Sequence, residues 1–314
     1  MMNLHRKQLF LFITIFALLL IVVGCGSGQS PDPNQGTAPS GEQAQPQKEQ
    51  AAEFKIAVIP VQTEGEMDVA MKKLTQVLSE KLNRKVTINV YPDYNGVVEA
   101  MNYDQVDMAY FGPLTYVIAH HQSGAEAIIT QLIDGEPFYY SYIITHVDNP
   151  WNSIEDLLKD PGQVSFAFGD PNSTSGSLIP GIELKNRGVY TDEMTYQFES
   201  VTFTGSHDVT ALAIQNKEVD AGAIDSAIFN SLVKGGTVDG SQFKTIWQSD
   251  ELFQYPWAVK KGTDDETIRL LREAFVAIKD EEILRAFGAS GFVEASNDDY
   301  EAIRAAAEQE GRLN

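Results

Sequence analysis

The sequence predicts an α/β fold, and three observations carry that prediction. Short apolar runs rich in β-branched and aromatic residues alternate with stretches whose apolar residues recur every three or four positions. Two segments repeat one helix–turn–strand pattern: YNGVVEAMNYDQVDMAYFG (94–112) and HDVTALAIQNKEVDAGAID (207–225) align without a gap, setting Ala100 on Ala213 and Tyr94 on His207. Finally, roughly 260 residues follow a polar opening stretch, enough for two lobes with separate cores.

The strand candidates are FKIAVIPV (54–61), VTINVYP (86–92), VDMAYFG (106–112), VSFAFGD (164–170) and VDAGAID (219–225). Met67, Ala70, Met71, Leu74, Val77, Leu78 and Leu82 hold helical spacing after the first of them. Each repeat reads as a polar residue, an amphipathic helix, a short turn and a strand opening on Val-Asp. Two continuous helices, 264–287 and 297–311, are expected last. Paired α/β lobes with chemistry at matching helix starts imply a cleft between them, because ligands of open α/β sheets lie beyond the carboxyl ends of the strands.

Ahead of this domain, His5, Arg6 and Lys7 precede an apolar run from Leu9 to Val23, then Gly24-Cys25. A cleaved leader (1–24) and a single membrane anchor compete here. The run is shorter than the ~20 residues of a span, and Val22-Val23-Gly24-Cys25 resembles a bacterial lipobox, in which the cysteine is lipidated. Cys25 is the chain's only cysteine, so no internal disulfide or thiolate metal cluster can form. Residues 25–52, rich in Ser, Gly, Gln and Pro, read as a flexible tether.

The formal net charge is −21, and losing the cations Arg6 and Lys7 with the leader makes it −23. That field, with no Lys/Arg cluster to relieve it, excludes a nucleic-acid partner and electrostatic adhesion to anionic membranes. An anionic ligand must therefore be held by local dipoles.

Gly169-Asp170-Pro171-Asn172 is a turn set, after which Ser173-Thr174-Ser175-Gly176 enters a helix. A helix N-terminus offers unpaired N–H groups and the positive end of a dipole, hydroxyls add donors, and Gly176 lets backbone approach. Capping is the plain alternative, though it accounts for one hydroxyl and not three. His207, after Gly205-Ser206, is either a structural hydrogen-bonder or a donor completing an oxyanion cage. Asp225 either caps the next helix or accepts from a protonated oxyanion or a ligand amine. Tyr94, Tyr110 and Phe111 are core aromatics or cleft wall, nominated by their strand-end and helix-start positions.

FGPLTYVIA (111–119), DPNSTSGSLIPG (170–181), GSHDVTALAIQNKEVDAGAID (205–225) and the lipobox together resemble the phosphonate/phosphite-binding substrate receptors of bacterial ABC importers. The likeness runs in order from Phe54 to about Phe292. It implies a two-lobed periplasmic-binding-protein fold of type II, with two crossovers and the ligand in the interlobe cleft. Lobe 1 is expected over 53–135 and 251–314 and lobe 2 over 136–250, hinged near 136–140 and 246–254. It also implies that Ser173, Thr174, Ser175 and His207 bind phosphonate or phosphite oxygens with Tyr94 from the other lobe, beside Phe111-Gly112. Asp225 falls where relatives that take aminoalkylphosphonates place a carboxylate. Two departures stand out: Tyr255 replaces a second acidic residue, and Phe111 a frequent tyrosine. Both argue for a smaller or less cationic substituent.

The expected activity is capture, with no catalytic residue and no cofactor, by a monomer that is lipid-anchored outside the cytoplasm and partnered by an ABC permease. A sensor-coupled lipoprotein is the alternative within the same fold. A secreted hydrolase is the rival class, although G-x-S-x-G, a P-loop and H-E-x-x-H are all missing from the sequence.

Overall fold

The computed structural model describes residues 52–62 and 66–313. The leader and the tether up to residue 51, Cys25 included, lie outside the described residues. The chain starts with β1 (Phe54–Val58), α1 (Glu66–Leu82), β2 (Val86–Val90), α2 (Tyr94–Asn102), β3 (Met108–Tyr110), α3 (Pro113–Ser123) and β4 (Glu126–Leu132). β1 runs between β2 and β3, parallel to both. Four of its five residues are buried, as befits a strand covered on both faces. In α1 the stripe of Met67, Ala70, Met71, Leu74 and Leu78 faces this sheet, as its spacing predicts.

The chain then crosses through β5 (Phe138–Tyr139) into β6 (Ser141–His146), followed by α4 (Ile154–Leu157) and β7 (Ser165–Phe168). A π-helical turn, Thr174–Leu178, leads into α5 (Ile179–Asn186), then β8 (Tyr190–Asp192), β9 (Thr195–Tyr196) and β10 (Ser200–Phe203). α6 (His207–Gln215), β11 (Ala221–Asp225), α7 (Ser226–Gly235) and β12 (Phe243–Gln248) complete a second sheet in the order β10-β7-β11-β6-β12. The return crossover carries β13 (Leu252–Phe253), which pairs antiparallel with β5. β14 (Pro256–Val259), α8 (Asp265–Val276), α9 (Glu281–Ala286), β15 (Gly291–Glu294) and α10 (Glu301–Gln309) rejoin the first sheet, whose order is β15-β4-β14-β3-β1-β2. Two sheets, each with its own core, joined by two crossovers, are the predicted type II architecture. Because β12 extends to Gln248, the second crossover starts later than the expected 246.

The internal repeat is structural. α2 and α6 start and end at aligned residues, and β3 and β11 start at aligned residues too. The strands open immediately after Val-Asp, not on it, and the aspartate has a separate task. Asp107 Oδ2 accepts the Lys55 N–H at 2.9 Å, and Asp220 Oδ2 accepts the Ser165 N–H at 2.8 Å. Each carboxylate thus fastens the first turnless stretch of the neighbouring parallel strand. Within β11, Gly222 answers to Ala109 of the first repeat but has less room: a Cβ there would stand 2.8 Å from Ala167 O and 2.9 Å from Thr210 Cγ2. Gly222→Ala is expected to cost about 1–3 kcal/mol through overpacking of β11 against β7 and α6. Urea denaturation checks this, and an unchanged midpoint would show that α6 yields.

One expected helix is broken. In place of a continuous 264–287, α8 stops at Val276 and α9 restarts at Glu281. Asp280 Oδ1 accepts the N–H of Glu282 at 2.9 Å and of Ile283 at 3.2 Å, which is a new N-cap inside an unbroken apolar period. Likewise 297–311 divides into a 3₁₀ turn (Asn297–Tyr300) and α10, with Ser296 and Asp299 forming a capping box.

Candidate functional site

The carboxyl ends of β2, β3, β7, β10 and β11 each feed a helix or helical turn, and these starts bring their polar groups together where the two sheets meet. Three of the hydrogen bonds between the halves have backbone N–H donors at this junction. The Leu114 N–H of α3 donates to Thr174 Oγ1 at 2.8 Å, and the His207 N–H to Val61 O at 3.2 Å. The third, from the Tyr94 N–H to Asp170 Oδ2, is long at 3.5 Å.

The three hydroxyls of the Ser-Thr-Ser turn have different tasks. Ser173 Oγ caps, accepting the Gly176 N–H at 3.0 Å. Thr174 Oγ1 accepts from α3 across the cleft, as above. Both keep a proton to donate, since a hydroxyl can accept and donate at once. Ser175 Oγ is buried with no hydrogen-bond partner. The π geometry widens this turn, a distortion that recurs at functional sites. Gly176 is what allows its close packing: a Cβ there would meet Ser173 Oγ at 2.9 Å and His207 Cε1 at 3.3 Å.

His207 opens α6, fully buried. Its Nδ1 accepts the Asp225 N–H at 3.3 Å, which places the ring proton on Nε2, 3.3 Å from Tyr255 Oη. Burial pushes its pKa down to about 4, with Asp208 opposing, so the ring is a neutral donor at pH 7. Of the two roles expected for Asp225, the structure shows the cap. Oδ1 caps α7, accepting from Ala227 N at 2.7 Å and Ile228 N at 2.9 Å, while buried Oδ2 makes no hydrogen bond of regular geometry. Burial raises its pKa to about 7, against the Ile228 N–H, the nearby Tyr255 hydroxyl and the Ala227 N–H, which lower it.

Tyr94, at the start of α2, is buried and its Oη has no partner. Tyr255 stacks at 5.6 Å on Tyr110, whose Oη is already committed to Gln131 Oε1 at 3.0 Å. Tyr110 therefore props Tyr255. Phe111 lies in the core of the first sheet, 6.5 Å from the Tyr116 ring, and Gly112 is the N-cap of α3 beside the rings of Tyr94 and Tyr255.

Sequence reasoning passed over Tyr139, which it used only as part of a hinge. On β5 its ring lies 5.4 Å from Tyr255, and its buried Oη has no partner. Gln254 Nε2 is another buried group without one. That crossover residues floor a two-lobed cleft was the signal available. Burial raises Tyr94, Tyr139 and Tyr255 well above the usual phenol pKa, so all three are neutral donors. The assembly has neutral donors, helix N-termini and one carboxyl whose pKa burial raises to about 7, which suits a small tetrahedral oxyanion carrying a proton or a neutral substituent.

Fold and site together define a two-lobed, type II periplasmic substrate-binding protein. The profile of the family described as "ABC transporter, phosphonate, periplasmic substrate-binding protein" matches residues 56–300, and the chain belongs to that family. The "Phosphonates-binding periplasmic protein" of Escherichia coli (strain K12) is 29% identical over 223 residues, covering 70% of this chain and 64% of that protein, less than two thirds of its length. The "Phosphate-import protein PhnD" of Mycolicibacterium smegmatis is 31% identical over 246 residues, covering 76% of this chain and 75% of that protein. The solved structure of PhnD1 from Prochlorococcus marinus (MIT 9301) in complex with methylphosphonate superposes with a TM-score of 0.74 at 25% identity, covering 83% of this chain and 98% of that one.

Proposed function

We propose that this chain captures a small phosphorus oxyanion, with phosphite, methylphosphonate or another small phosphonate preferred, and hands it to an ABC permease from an extracytoplasmic position, anchored by a lipid on Cys25. Ser173, Thr174, Ser175, His207, Tyr94, Tyr139 and Tyr255 surround the ligand, with Asp225 facing its proton or substituent. The observation that carries this is the set of buried polar atoms without partners, Tyr94 Oη, Tyr139 Oη, Ser175 Oγ and Asp225 Oδ2, contributed by both lobes and the crossover between them. Burying such groups unpaired costs free energy that a bound oxyanion offsets. Residues 53–135 with 251–314 form one moving lobe and 136–250 the other, closing about the paired crossovers.

Capture fits the geometry better than hydrolysis. A histidine base must present an unprotonated ring nitrogen to the nucleophile, whereas the acceptor nitrogen of His207, Nδ1, is occupied by the Asp225 N–H and Nε2 faces Tyr255. The methylphosphonate in PhnD1 and the phosphate import of the M. smegmatis relative both support a small phosphorus oxyanion. Calorimetric titration of the full chain in detergent with phosphite, methylphosphonate, aminoethylphosphonate and phosphate tests the reading. Phosphite or methylphosphonate is expected to bind at least about tenfold tighter than aminoethylphosphonate, whose amine meets one carboxyl in place of two. No heat with any of the four would overturn the proposal.

A further inference from the structure

We infer that Arg312 is a positioning residue for ligand capture: from the turn after α10 on the first lobe, it grips the loop of the second lobe that delivers the Ser173–Ser175 hydroxyls. The inference rests on the proposed ligand and on closure of the cleft about the crossovers.

α10 is fastened to the first lobe. Ile303 and Ala307 are buried in its core, and the Tyr300 ring lies 4.7 Å from that of Tyr116. The Arg312 N–H donates to Ala307 O at 2.8 Å, which folds the turn back on the helix. From there Arg312 Nη2 donates to Pro171 O at 2.9 Å and to Asn172 Oδ1 at 2.8 Å. These acceptors lie between β7 and the Ser-Thr-Ser turn.

The same loop is braced from within. Asp170 Oδ1 accepts the Asn172 N–H at 2.7 Å, and Asp170 O accepts the Ser173 N–H at 2.9 Å. A pull on Asn172 is therefore passed to Ser173 through short, directional bonds. At the C-cap of α10, two residues before Arg312, a second tie, Lys185 Nζ to Glu310 Oε2 at 2.8 Å, joins α5 to the end of the same helix. That pair is partly solvated and adds little. The guanidinium is partly withdrawn from water, and charge-assisted bonds to neutral acceptors are the stronger kind.

Arg312 and its acceptors sit on different lobes, so opening of the cleft is expected to break these bonds. They favour the closed state whether or not ligand is present, and apparent affinity follows the closed fraction. The expected signature is kinetic: opening, and hence ligand release, accelerates when the bond is lost, while encounter is untouched.

The test uses the full chain in detergent with methylphosphonate. Arg312→Gln is expected to raise Kd and the dissociation rate about tenfold while the association rate changes less than about twofold. Arg312→Lys should recover part of the loss. Asn172→Ala on top of Arg312→Gln should add almost nothing, because both changes delete one interaction. Without ligand, amide exchange at Leu114 and His207, whose N–H groups bond across the cleft, should be faster in Arg312→Gln. Additive effects of the two substitutions, or unchanged dissociation and exchange, would overturn the inference. If the parent chain gives no heat with methylphosphonate, the ligand assignment falls instead, and the ligand-free exchange measurement decides the clasp.

Discussion

Ser175→Ala is expected to weaken oxyanion binding by about 10- to 100-fold while leaving the ligand-free protein as stable as its parent or slightly more so. The opposite signs follow from one observation. Ser175 Oγ is buried and makes no hydrogen bond of regular geometry, with the Tyr139 hydroxyl and Thr174 beside it, so in the free protein the hydroxyl is desolvated with little return. Its hydrogen bond to a charged ligand is worth about 1.5–3 kcal/mol, which is the stated range of affinity. Ser173→Ala makes the contrast: Ser173 Oγ caps the turn at Gly176 N, and losing it should cost about 1 kcal/mol of stability before any ligand is added. Calorimetry with methylphosphonate and urea denaturation of both variants separate the two effects. Unaltered binding by Ser175→Ala would sink the assignment of this turn as the oxyanion site.

The contrast between these neighbouring serines marks where sequence reasoning stops. That three hydroxyls follow a strand and open a helix is legible, since apolar period and turn chemistry are local. Which hydroxyl caps, which bridges to α3 and which stays unpaired is decided by the approach of a segment 60 residues away, as in the bond from Leu114 to Thr174. The same limit explains Tyr139. Nothing in FYYS distinguishes it from its neighbours until β5 pairs with β13 and turns its ring towards Tyr255. The lobes and their repeat were readable because strand and helix periods survive in each copy. The break between α8 and α9 was hidden because Ile278 and Ile283 both reach the core, so the apolar period continues across a backbone that restarts at Asp280. Arg312 escaped for the same reason as Tyr139, its partners being remote in sequence.

Asp225→Asn is expected to remove from both stability and binding a component that weakens as pH rises. Asn keeps the cap, since its carbonyl oxygen can accept from Ala227 and Ile228 as Oδ1 does, but it does not titrate. In the parent, burial lifts the carboxyl from 3.8 to about 7. For a carboxyl raised on folding, the folded state holds its proton after the unfolded chain has released it. The contribution of Asp225 to stability is therefore greatest below about pH 4, falls as pH rises towards 7, and levels off above it. The span amounts to about 4 kcal/mol on this shift, and the variant should lack that decline. His207, lowered from 6.5 to about 4, contributes the opposite slope over much of the same window, stability rising with pH between those values, so the Asp225 contribution is read as the difference between parent and variant; Tyr94, Tyr139, Tyr255, Tyr110 and Tyr142 are all raised above the ordinary phenol value and stay outside the window. A bound anion raises Asp225 further, so ionised Asp225 must take up a proton on binding. The parent's affinity relative to the variant should then be flat below pH 6 and fall about tenfold per unit above 7. Taking the ratio removes the ionisation of methylphosphonate, which is common to both proteins. A ratio that stays constant from pH 5 to 8 would mean that Asp225 holds its charge beside the ligand, accepting the proton of a P–OH group, and would overturn proton uptake by the carboxyl.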